Sequence, residues 1–428
     1  MATRTLAEWL AWQEQLHPAT IELGLERIRT VLARLELTRP APQVFIVGGT
    51  NGKGSCVATL EALAMVSGRR TGAYTSPHLL RYNERVRVDG EEVDDAALVS
   101  AFEAVEAARG DVALTYFEFG TAAALEIFRR RAVETAVLEI GLGGRLDAVN
   151  AVAADATVVT SVGLDHMEWL GPDRESIGRE KGGIFRAGKP AVIGDRDPPA
   201  TLLAAAGPDA LRLGVDFDWD EQGGQWRWHD DRRVLASLPL DPLPAPALRD
   251  NAASAIAAFA ALEPRLAAAD AAEAIGRIRL AGRLQRVPGP VEWWLDVAHN
   301  PAAAAMLAGA LAAAPCAGRT WCVLGMLGDK DAGGVAAALA PQVDDWFLAS
   351  LEPPRGLTAA ALAERLPVPP RAEAASVAEA CELARNAAAP GDRIVVCGSF
   401  HTVGPALEWL GYTAPPRPAS AGPPTILV

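Results

Sequence analysis

The stretch VFIVGGTNGKGS, residues 44–55, constrains the fold of this chain more than any other feature. Residues 44–47 are apolar and mostly β-branched, and residues 56–66 space their apolar side chains as a helix does. Glycines between a strand and a helix let backbone N–H groups turn toward an anion at the helix N-terminus. The pattern therefore predicts a phosphate-binding loop at the edge of a parallel sheet.

The spacing within this loop differs from that of the common P-loop, G-x-x-x-x-G-K-[ST], in which a hydroxyl residue directly follows the lysine. Here Gly54 follows Lys53, and the hydroxyl comes one place later, at Ser55. In the common P-loop, the hydroxyl after the lysine binds Mg²⁺. The shifted position of Ser55 therefore indicates that another residue binds the metal here. The alternative is a glycine-rich turn that binds no nucleotide.

Length and charge narrow the class of protein. A chain of 428 residues with 50% hydrophobic content favours two domains, each with its own core. A net charge of −13 argues against nucleic acid and anionic membranes as partners. Five cysteines without a C-x-x-C pair, and no apolar stretch long enough to cross a bilayer, favour a cytoplasmic protein without disulfides or structural zinc.

Strand-like runs alternate with helical patterns along most of the chain, which predicts α/β architecture. Residues 211–240 depart from this succession of strands and helices. Their alternating polar and apolar residues around a Gly-Gly pair predict an antiparallel hairpin. We therefore expect an N-terminal P-loop parallel-sheet ATPase domain with a small antiparallel subsheet, and a C-terminal Rossmann-like α/β domain. The Pro-Gly-Pro stretch at 288–290 is interpreted as the linker between domains 1–287 and 288–428, with a cleft between them.

Several polar residues follow predicted strands, where α/β sheets place their ligands. Glu139 ends one apolar run, and its alternative interpretation is a loop acid facing water. Four of the six histidines stand at similar positions, although any one of them could be a packing or capping residue: His78, His166, His299 and His401.

In ten motifs taken together, the chain resembles the folylpolyglutamate synthases and bifunctional dihydrofolate synthases, relatives of the Mur peptide ligases. The motifs run in order from residue 49 to residue 404: GTNGKGS, TSPHL, NERVRV, TYFEFGTAAAL, LEIGLGGRLDAVN, GLDHMEWLG, EKGGIF, GRLQ, DVAHNP and GSFHTVG. The family's loop has the same shifted spacing, which favours a nucleotide site over a simple turn.

This resemblance implies an ATP-dependent ligase, acting through an acyl phosphate, that joins L-glutamate to dihydropteroate and to reduced folates. It also implies a monomer whose partners are these small molecules. The alternatives are a monofunctional folylpolyglutamate synthase, a Mur-type amino-acid ligase, and a P-loop switch protein that only hydrolyses nucleotide. A Mur-type ligase usually has a whole domain before the loop, and here the motif begins at residue 49.

The resemblance also implies roles for individual residues. Those expected to contact ATP are Gly49, Thr50, Asn51, Gly52, Lys53, Gly54, Ser55, Asn251, Arg283 and Asp296. The ligands expected for Mg²⁺, or for Mn²⁺, are Ser76, Glu139 and His166.

The substrate-side expectations come from the same resemblance. Lys181 is expected to be carbamylated, which turns a cation into an anionic oxygen ligand, and Lys53, Lys181 and His299 are the expected catalytic residues. Residues expected on the pterin and glutamate sides are Phe117, Asp147, Ala148, His299 and Ser399. Val297 stands where the family usually has glycine, and we expect its β-branched side chain to narrow the turn around Asp296 and His299.

Overall fold

The computed structural model describes residues 4–17, 21–352 and 355–412, and these residues fall into two compact units. The first unit extends to Ile278. The second contains the chain from Arg279 onward together with a short segment, Leu79–Arg81, that comes from within the first part of the sequence.

The first unit is built on a sheet with parallel central strands. Its strands are β1 (Gln43–Gly48), β2 (Thr71–Tyr74), β3 (Val86–Val88), β4 (Glu91–Glu92), β5 (Thr135–Glu139), β6 (Ala156–Val159), β7 (Ala191–Ile193) and β8 (Leu211–Arg212). Their order is β4-β3-β2-β5-β1-β6-β7-β8, and β3 and β4 are antiparallel. Because β2, β5, β1 and β6 are parallel neighbours, their carboxyl ends meet at one edge of the sheet.

Helices cover this sheet, and its central strands are accordingly buried. They are α1 (Leu6–Gln13), α2 (Glu26–Arg34), α3 (Lys53–Val66), α4 (Asp95–Arg109), α5 (Tyr116–Arg130), α6 (Met167–Leu170), α7 (Arg174–Gly182), α8 (Ala200–Ala206), α9 (Pro246–Leu262) and α10 (Ala268–Arg277), with 3₁₀ turns at Tyr82–Arg85 and Ala148–Ala151. Every residue of β5 is buried, as expected for a parallel strand. A capping box between Thr115 and Glu118 fixes the start of α5.

A small antiparallel sheet belongs to the same unit, and it confirms the predicted subsheet. It consists of β9 (Phe217–Gln222), β10 (Gln225–Asp230) and β11 (Val234–Pro239), in the order β11-β10-β9. Gly223 and Gly224 both have positive φ and form the two-residue turn between β9 and β10. The indole N–H of buried Trp228 donates to the Ala253 carbonyl at 3.1 Å and so fastens the sheet to α9.

The second unit has its own α/β sheet and core. Its strands are β12 (Gln285–Val287), β13 (Glu292–Leu295), β14 (Thr320–Leu324), β15 (Asp345–Ala349), β16 (Ala372–Ala374) and β17 (Arg393–Cys397). Its helices are α11 (Pro301–Ala313), α12 (Ala332–Leu339), α13 (Ala359–Ala363), α14 (Val377–Ala387) and α15 (Phe400–Trp409), with a 3₁₀ turn at Ala340–Gln342. The order is β12-β13-β17-β14-β15-β16, in which only β12 is antiparallel to its neighbour among these described strands.

The division between the units differs from the predicted boundary between residues 287 and 288. Strand β12 pairs with β13, with Val287 opposite Trp293, so the turn at 288–290 lies within the second sheet. The structural division comes earlier, after Ile278. The last part of the predicted C-terminal domain, residues 413–428, lies outside the described residues.

Across residues 4–17, 21–352 and 355–412, no helix combines the length and the apolar composition that a bilayer crossing requires.

The inward face of α1 contains polar groups without a hydrogen-bond partner among the described residues. Gln13 is 1% exposed, and neither its amide nitrogen nor its amide oxygen has a partner. The indole nitrogen of Trp9, one turn earlier, also lacks a hydrogen-bond partner among the described residues. An unsatisfied buried polar group costs about 1–3 kcal/mol, so these groups reduce the stability that α1 gains by packing against the core.

We predict that Gln13→Met, which keeps the side-chain volume and removes the buried amide, raises the free energy of unfolding by about 1–2 kcal/mol. Urea denaturation of the full chain measures this. The control is Gln15→Met, because Gln15 is exposed and its replacement is expected to change stability by less than about 0.5 kcal/mol. Equal effects of the two substitutions would contradict the prediction.

Candidate active site

The predicted phosphate loop, residues 49–52, connects β1 to α3 at the carboxyl edge of the first sheet. Gly52, the N-cap of α3, has a φ of +86°, a left-handed conformation that glycine adopts without strain. The Lys53 ammonium turns back and donates to the carbonyls of Gly49 at 3.1 Å and Thr50 at 3.3 Å. A helix N-terminus and a lysine cation therefore lie together at the loop, which suits binding of an anion.

Hydrogen bonds fasten the loop to the end of β6. The Thr50 N–H donates to the Ser161 carbonyl at 2.8 Å, and the Asn51 N–H donates to the Ser161 hydroxyl at 3.0 Å. The Thr160 hydroxyl donates to the Asn51 carbonyl at 2.6 Å. Gly49 approaches β6 so closely that a Cβ there would lie 1.9 Å from Thr160 Oγ1.

Thr160 and Ser161 were not among the residues predicted from the sequence. The available signal was a pair of hydroxyl residues at the end of the strand-like run 156–163. That run shows an apolar strand with a polar end, but it does not show that β6 lies beside β1.

The hydroxyl of Ser55, which comes one position later than in the common P-loop, forms hydrogen bonds within the protein. Ser55 Oγ donates to the Gly52 carbonyl at 2.9 Å and accepts from the Asn251 side chain, also at 2.9 Å. A Cβ at Gly52 would lie 2.3 Å from Asn251 Oδ1. The shifted serine thus holds the amide of Asn251, on α9, against the loop.

Two of the predicted metal ligands lie at the ends of adjacent strands. Ser76 follows β2 and Glu139 ends β5, and the Ser76 N–H donates to Glu139 Oε2 at 3.3 Å. His166 lies on the loop after β6, which is joined to the phosphate loop because the Gly163 N–H donates to Thr50 Oγ1 at 2.9 Å.

The donor types of this set fit a hard divalent ion. A hydroxyl and a carboxylate with one imidazole suit Mg²⁺ or Mn²⁺. Within the described ranges, no three His, Cys, Asp or Glu side chains form a metal-binding group, and a set that includes a serine is not of that kind. The assignment of Ser76, Glu139 and His166 as ligands therefore stays a prediction.

Lys181, near the end of α7, is 3% exposed. Burial lowers the pKa of its amine to about 7; the charge of Lys53 acts in the same direction, and Asp165 and Asp147 oppose it. Helix α7 is held in place because the Arg145 N–H donates to the Glu180 carbonyl at 2.8 Å. The fold thus gathers two lysines and two carboxylates within interaction range.

The carboxylate of Asp147 is engaged by the loop in which it lies. It accepts the backbone N–H groups of Gly141 at 3.0 Å, Leu142 at 2.9 Å and Val149 at 2.9 Å. Burial raises the pKa of Asp147 to about 7, although these hydrogen bonds and Lys53 act in the opposite direction. Asp147 therefore shapes this loop, in addition to the role predicted for it toward the pterin.

Phe117, in the first turn of α5, lies over the same loop. A Cβ at Gly141 would lie 2.6 Å from Phe117 Cζ, and the Phe117 ring stacks with Tyr74 at a centroid distance of 6.0 Å. Ala148 is buried next to Asp147. The structure thus brings together, through Gly141, the three residues predicted on the pterin side.

The second unit has a polar cluster of its own at the ends of β13 and β17. Asp296 is 2% exposed and accepts the Leu284 N–H on one oxygen and the Ala298 N–H on the other, both at 2.8 Å. Burial raises the pKa of Asp296, whereas the charge of Arg283 lowers it. The guanidinium of Arg283 lies 5.0 Å from the ring centroid of Phe400.

His299 and Ser399 have defined orientations in this cluster. His299 Nδ1 lies 2.9 Å from the Val297 carbonyl, so Nδ1 is the donor in this contact, and in the neutral form of such a ring Nε2 is an acceptor. The Ser399 hydroxyl accepts the His401 N–H at 3.1 Å and caps α15.

The valine in place of the expected glycine is accommodated by packing. Val297 is buried, and its side chain lies against Gly282 in a cluster with Leu79 and Val403. Its N–H donates to the Gly282 carbonyl at 2.9 Å. Its backbone has no positive φ, so the turn does not require glycine at this position.

Comparisons with known proteins give one consistent result. The family model described as "Mur ligase, glutamate ligase domain" matches residues 282–400. The dihydrofolate synthase/folylpolyglutamate synthase of Escherichia coli (strain K12) is 47% identical over 410 residues, which cover 95% of this chain and 96% of that protein.

Two solved structures are similar over nearly the whole chain. Escherichia coli FolC in complex with DHPP and ADP has a TM-score of 0.91 and 47% identity, covering 95% of this chain and 98% of that one. A bifunctional folylpolyglutamate synthase/dihydrofolate synthase with Mn, AMPPNP and L-glutamate bound has a TM-score of 0.90 and 45% identity, covering 96% and 99%.

We predict that Gly52→Ala weakens binding of a non-hydrolysable ATP analogue about tenfold or more, because the new Cβ displaces the Asn251 side chain and the loop N–H groups. Calorimetric titration of the full chain measures the dissociation constant. Gly68→Ala is the control, because Gly68 also has positive φ but a Cβ there meets nothing within 4 Å. The left-handed backbone should cost each variant about 1–2 kcal/mol of stability, and Gly52→Ala should lose more because its Cβ meets Asn251. Nucleotide binding equal to that of the unaltered chain in Gly52→Ala would refute the proposed loop.

Proposed function

The chain belongs to the dihydrofolate synthase/folylpolyglutamate synthase family of Mur-type ligases, and from this premise we propose that it joins L-glutamate to dihydropteroate and to reduced folates with ATP as phosphoryl donor. The observation that carries the proposal is the phosphate loop. Its backbone is fixed against β6, its lysine lies over it, and a serine and a glutamate stand at the ends of the next strands. This is a site for phosphoryl transfer to an anionic acceptor.

The first step joins two anions, the acceptor carboxylate and the γ-phosphate. We assign the neutralisation of the transferring phosphoryl group to Lys53 and to the backbone N–H groups at the start of α3. A divalent ion held by Ser76, Glu139 and His166 would supply further positive charge there. The carboxylate oxygen forms a bond to phosphorus, the bond to ADP breaks, and an acyl phosphate results.

The second step is attack of the glutamate amine on the acyl carbon, with phosphate leaving. We assign His299 to this step, because its acceptor nitrogen Nε2 can take a hydrogen bond from the amine and orient it. Asp296 is assigned to ATP binding, and it also holds the turn that carries Arg283 and Leu284. Ser399 is assigned to the glutamate side.

The pterin end of the acceptor is assigned to Phe117, Asp147 and Ala148. Phe117 offers a flat ring beside Gly141, and Asp147 is a buried carboxyl close to it. Because three backbone N–H groups already occupy Asp147, only part of its accepting capacity is left for pterin donors.

The alternatives predict different substrates. A Mur-type ligase would act on a cell-wall precursor, and a switch protein would hydrolyse ATP with no acceptor. The similarity to bifunctional folate ligases over 95% of the chain favours the folate reactions over both. We further propose that the protein acts as a monomer without a nucleic-acid partner, in line with its charge of −13.

We predict that ADP release by the purified chain requires L-glutamate together with dihydropteroate or tetrahydrofolate. A coupled ADP assay with each substrate omitted in turn measures this. Activity with only one acceptor would identify a monofunctional enzyme. ADP release that is independent of glutamate and of acceptor would indicate a switch protein and would contradict the proposal.

We propose that Lys181 is carbamylated, because CO₂ adds to a neutral amine and burial lowers the pKa of this amine to about 7. Above that pH the neutral amine predominates, and below it the ammonium form does not react. A carbamate would also remove the repulsion between two cations, Lys181 and Lys53.

We therefore predict that CO₂-depleted enzyme loses activity and regains it when CO₂ is supplied, faster as the pH rises through about 7 at a constant concentration of dissolved CO₂. Carbon-13 bicarbonate should give a carbamate NMR signal that Lys181→Gln abolishes. The control is Lys189→Gln, because Lys189 is an exposed lysine paired with Asp155, and it should keep the signal. Full activity without CO₂, together with no carbamate signal, would exclude the modification.

A further inference from the structure

An ion pair between Asp195 and Arg174 binds one residue of the loop that leads from β6 to His166. The Asp195 carboxylate accepts the Val162 N–H at 2.7 Å. Arg174 Nε donates to the Val162 carbonyl at 2.9 Å, and Arg174 Nη2 lies 3.5 Å from Asp195 Oδ2. Each member of the pair therefore binds one of the two polar groups of the Val162 backbone.

The two members of this pair come from different elements of the first unit. Asp195 follows β7, the parallel neighbour of β6, after one glycine. Arg174 is the first residue of α7, the helix that carries Lys181 near its end. The side chain of Asp195 is 12% exposed, and its other oxygen accepts the Asp197 N–H at 2.9 Å. The carboxylate is therefore fixed by its own turn as well as by the loop.

The phosphate loop binds the residues on both sides of Val162. The Asn51 N–H donates to the Ser161 hydroxyl, and the Gly163 N–H donates to Thr50 Oγ1 at 2.9 Å. Val162 itself is buried. Loss of the ion pair would leave its two backbone groups without these partners away from water, which favours a shift of the whole segment.

The position of His166 depends on this segment. His166 comes three residues after Gly163, and its own backbone is left-handed, with a φ of +51°, which is uncommon for a residue other than glycine. A metal ion requires its ligands at closely defined distances, and loss of the groups that orient a ligand typically weakens metal binding about 10- to 100-fold. A shift at Val162 would therefore be felt at the metal.

We propose that Asp195 and Arg174 are positioning residues for the divalent ion: by binding both backbone groups of Val162, they hold His166 where it can coordinate the metal. This inference rests on the proposed function, since it takes His166 as a metal ligand. The pair acts on phosphoryl transfer through the loop and the ion.

The test measures Mn²⁺ binding by the full chain in the presence of a non-hydrolysable ATP analogue, from the electron paramagnetic resonance signal of free Mn²⁺. Asp195→Ala should raise the Mn²⁺ dissociation constant about tenfold or more. Arg174→Met, which removes the donor to the Val162 carbonyl, should act in the same direction. Asp195→Asn keeps an oxygen acceptor for the Val162 N–H and should have a smaller effect, about two- to fivefold.

Asp230→Ala is a matched control for a purely structural role. Asp230 is also a largely buried carboxylate, 13% exposed, that accepts backbone N–H groups and pairs with an arginine, Arg233, but it ends β10 in the antiparallel subsheet. Thermal unfolding should show a loss of stability in both alanine variants, whereas only Asp195→Ala should weaken Mn²⁺ binding. Equal Mn²⁺ affinity in the two variants would overturn the proposal.

A double variant tests whether Asp195 acts through His166. His166→Ala alone should weaken Mn²⁺ binding, and adding Asp195→Ala should cause little further loss, because both changes remove the same ligand. Additive losses would overturn the proposal, and so would an His166→Ala variant that binds Mn²⁺ as tightly as the unaltered chain does.

The ADP-release assay gives a second readout. For Asp195→Ala, kcat should fall and should be partly restored by a higher Mg²⁺ concentration. The KM for L-glutamate should change less than about twofold, because the residues assigned to glutamate belong to the second unit. The expected Mn²⁺ results in a chain that releases no acceptor-dependent ADP would support this inference and contradict the proposed function.

Discussion

The attachment of the phosphate loop to β6 is the constraint on which the first unit's chemistry depends. A polyphosphate is bound by backbone N–H groups only if those groups already point at it, because reorienting them during the reaction would cost free energy. Thr160 and Ser161 hold Asn51 and Thr50 in place before nucleotide arrives. The loop is therefore a rigid part of the sheet edge and not a flexible glycine turn.

Burial near the carboxyl edge of the first sheet also shifts the pKa values of the ionisable groups that it encloses. Lys181 and Asp147 both have pKa values of about 7, one lowered and one raised from the ordinary value. In each case desolvation of the charged form is the largest cause. A neutral lysine is a nucleophile toward CO₂, whereas an exposed lysine at the same pH is almost entirely protonated. The same burial that stabilises the unit thus makes Lys181 available for modification.

In the second unit, as in the first, the polar residues of the candidate site lie at the carboxyl ends of parallel strands. Strands β13 and β17 are parallel neighbours; Asp296 directly follows β13, and Ser399 follows β17 after one glycine. Both residues are occupied by backbone N–H groups, so each helps to shape the turn on which it lies. Residues that would act on a substrate therefore also hold their own loops, and substitutions of Asp296 or Ser399 are expected to affect structure as well as binding.

The sequence alone determined the α/β class, the strand-loop-helix of the phosphate loop, the antiparallel subsheet and the family, because each depends on local periodicity or on contiguous motifs. Tertiary structure alone decided which strand ends become neighbours, and so why Thr160 fastens the loop and why Ser55 serves Asn251. It also decided that the turn at 288–290 belongs inside a sheet. Hydrogen-bond partners and burial depend on contacts distant in sequence, and a local pattern contains no information about them.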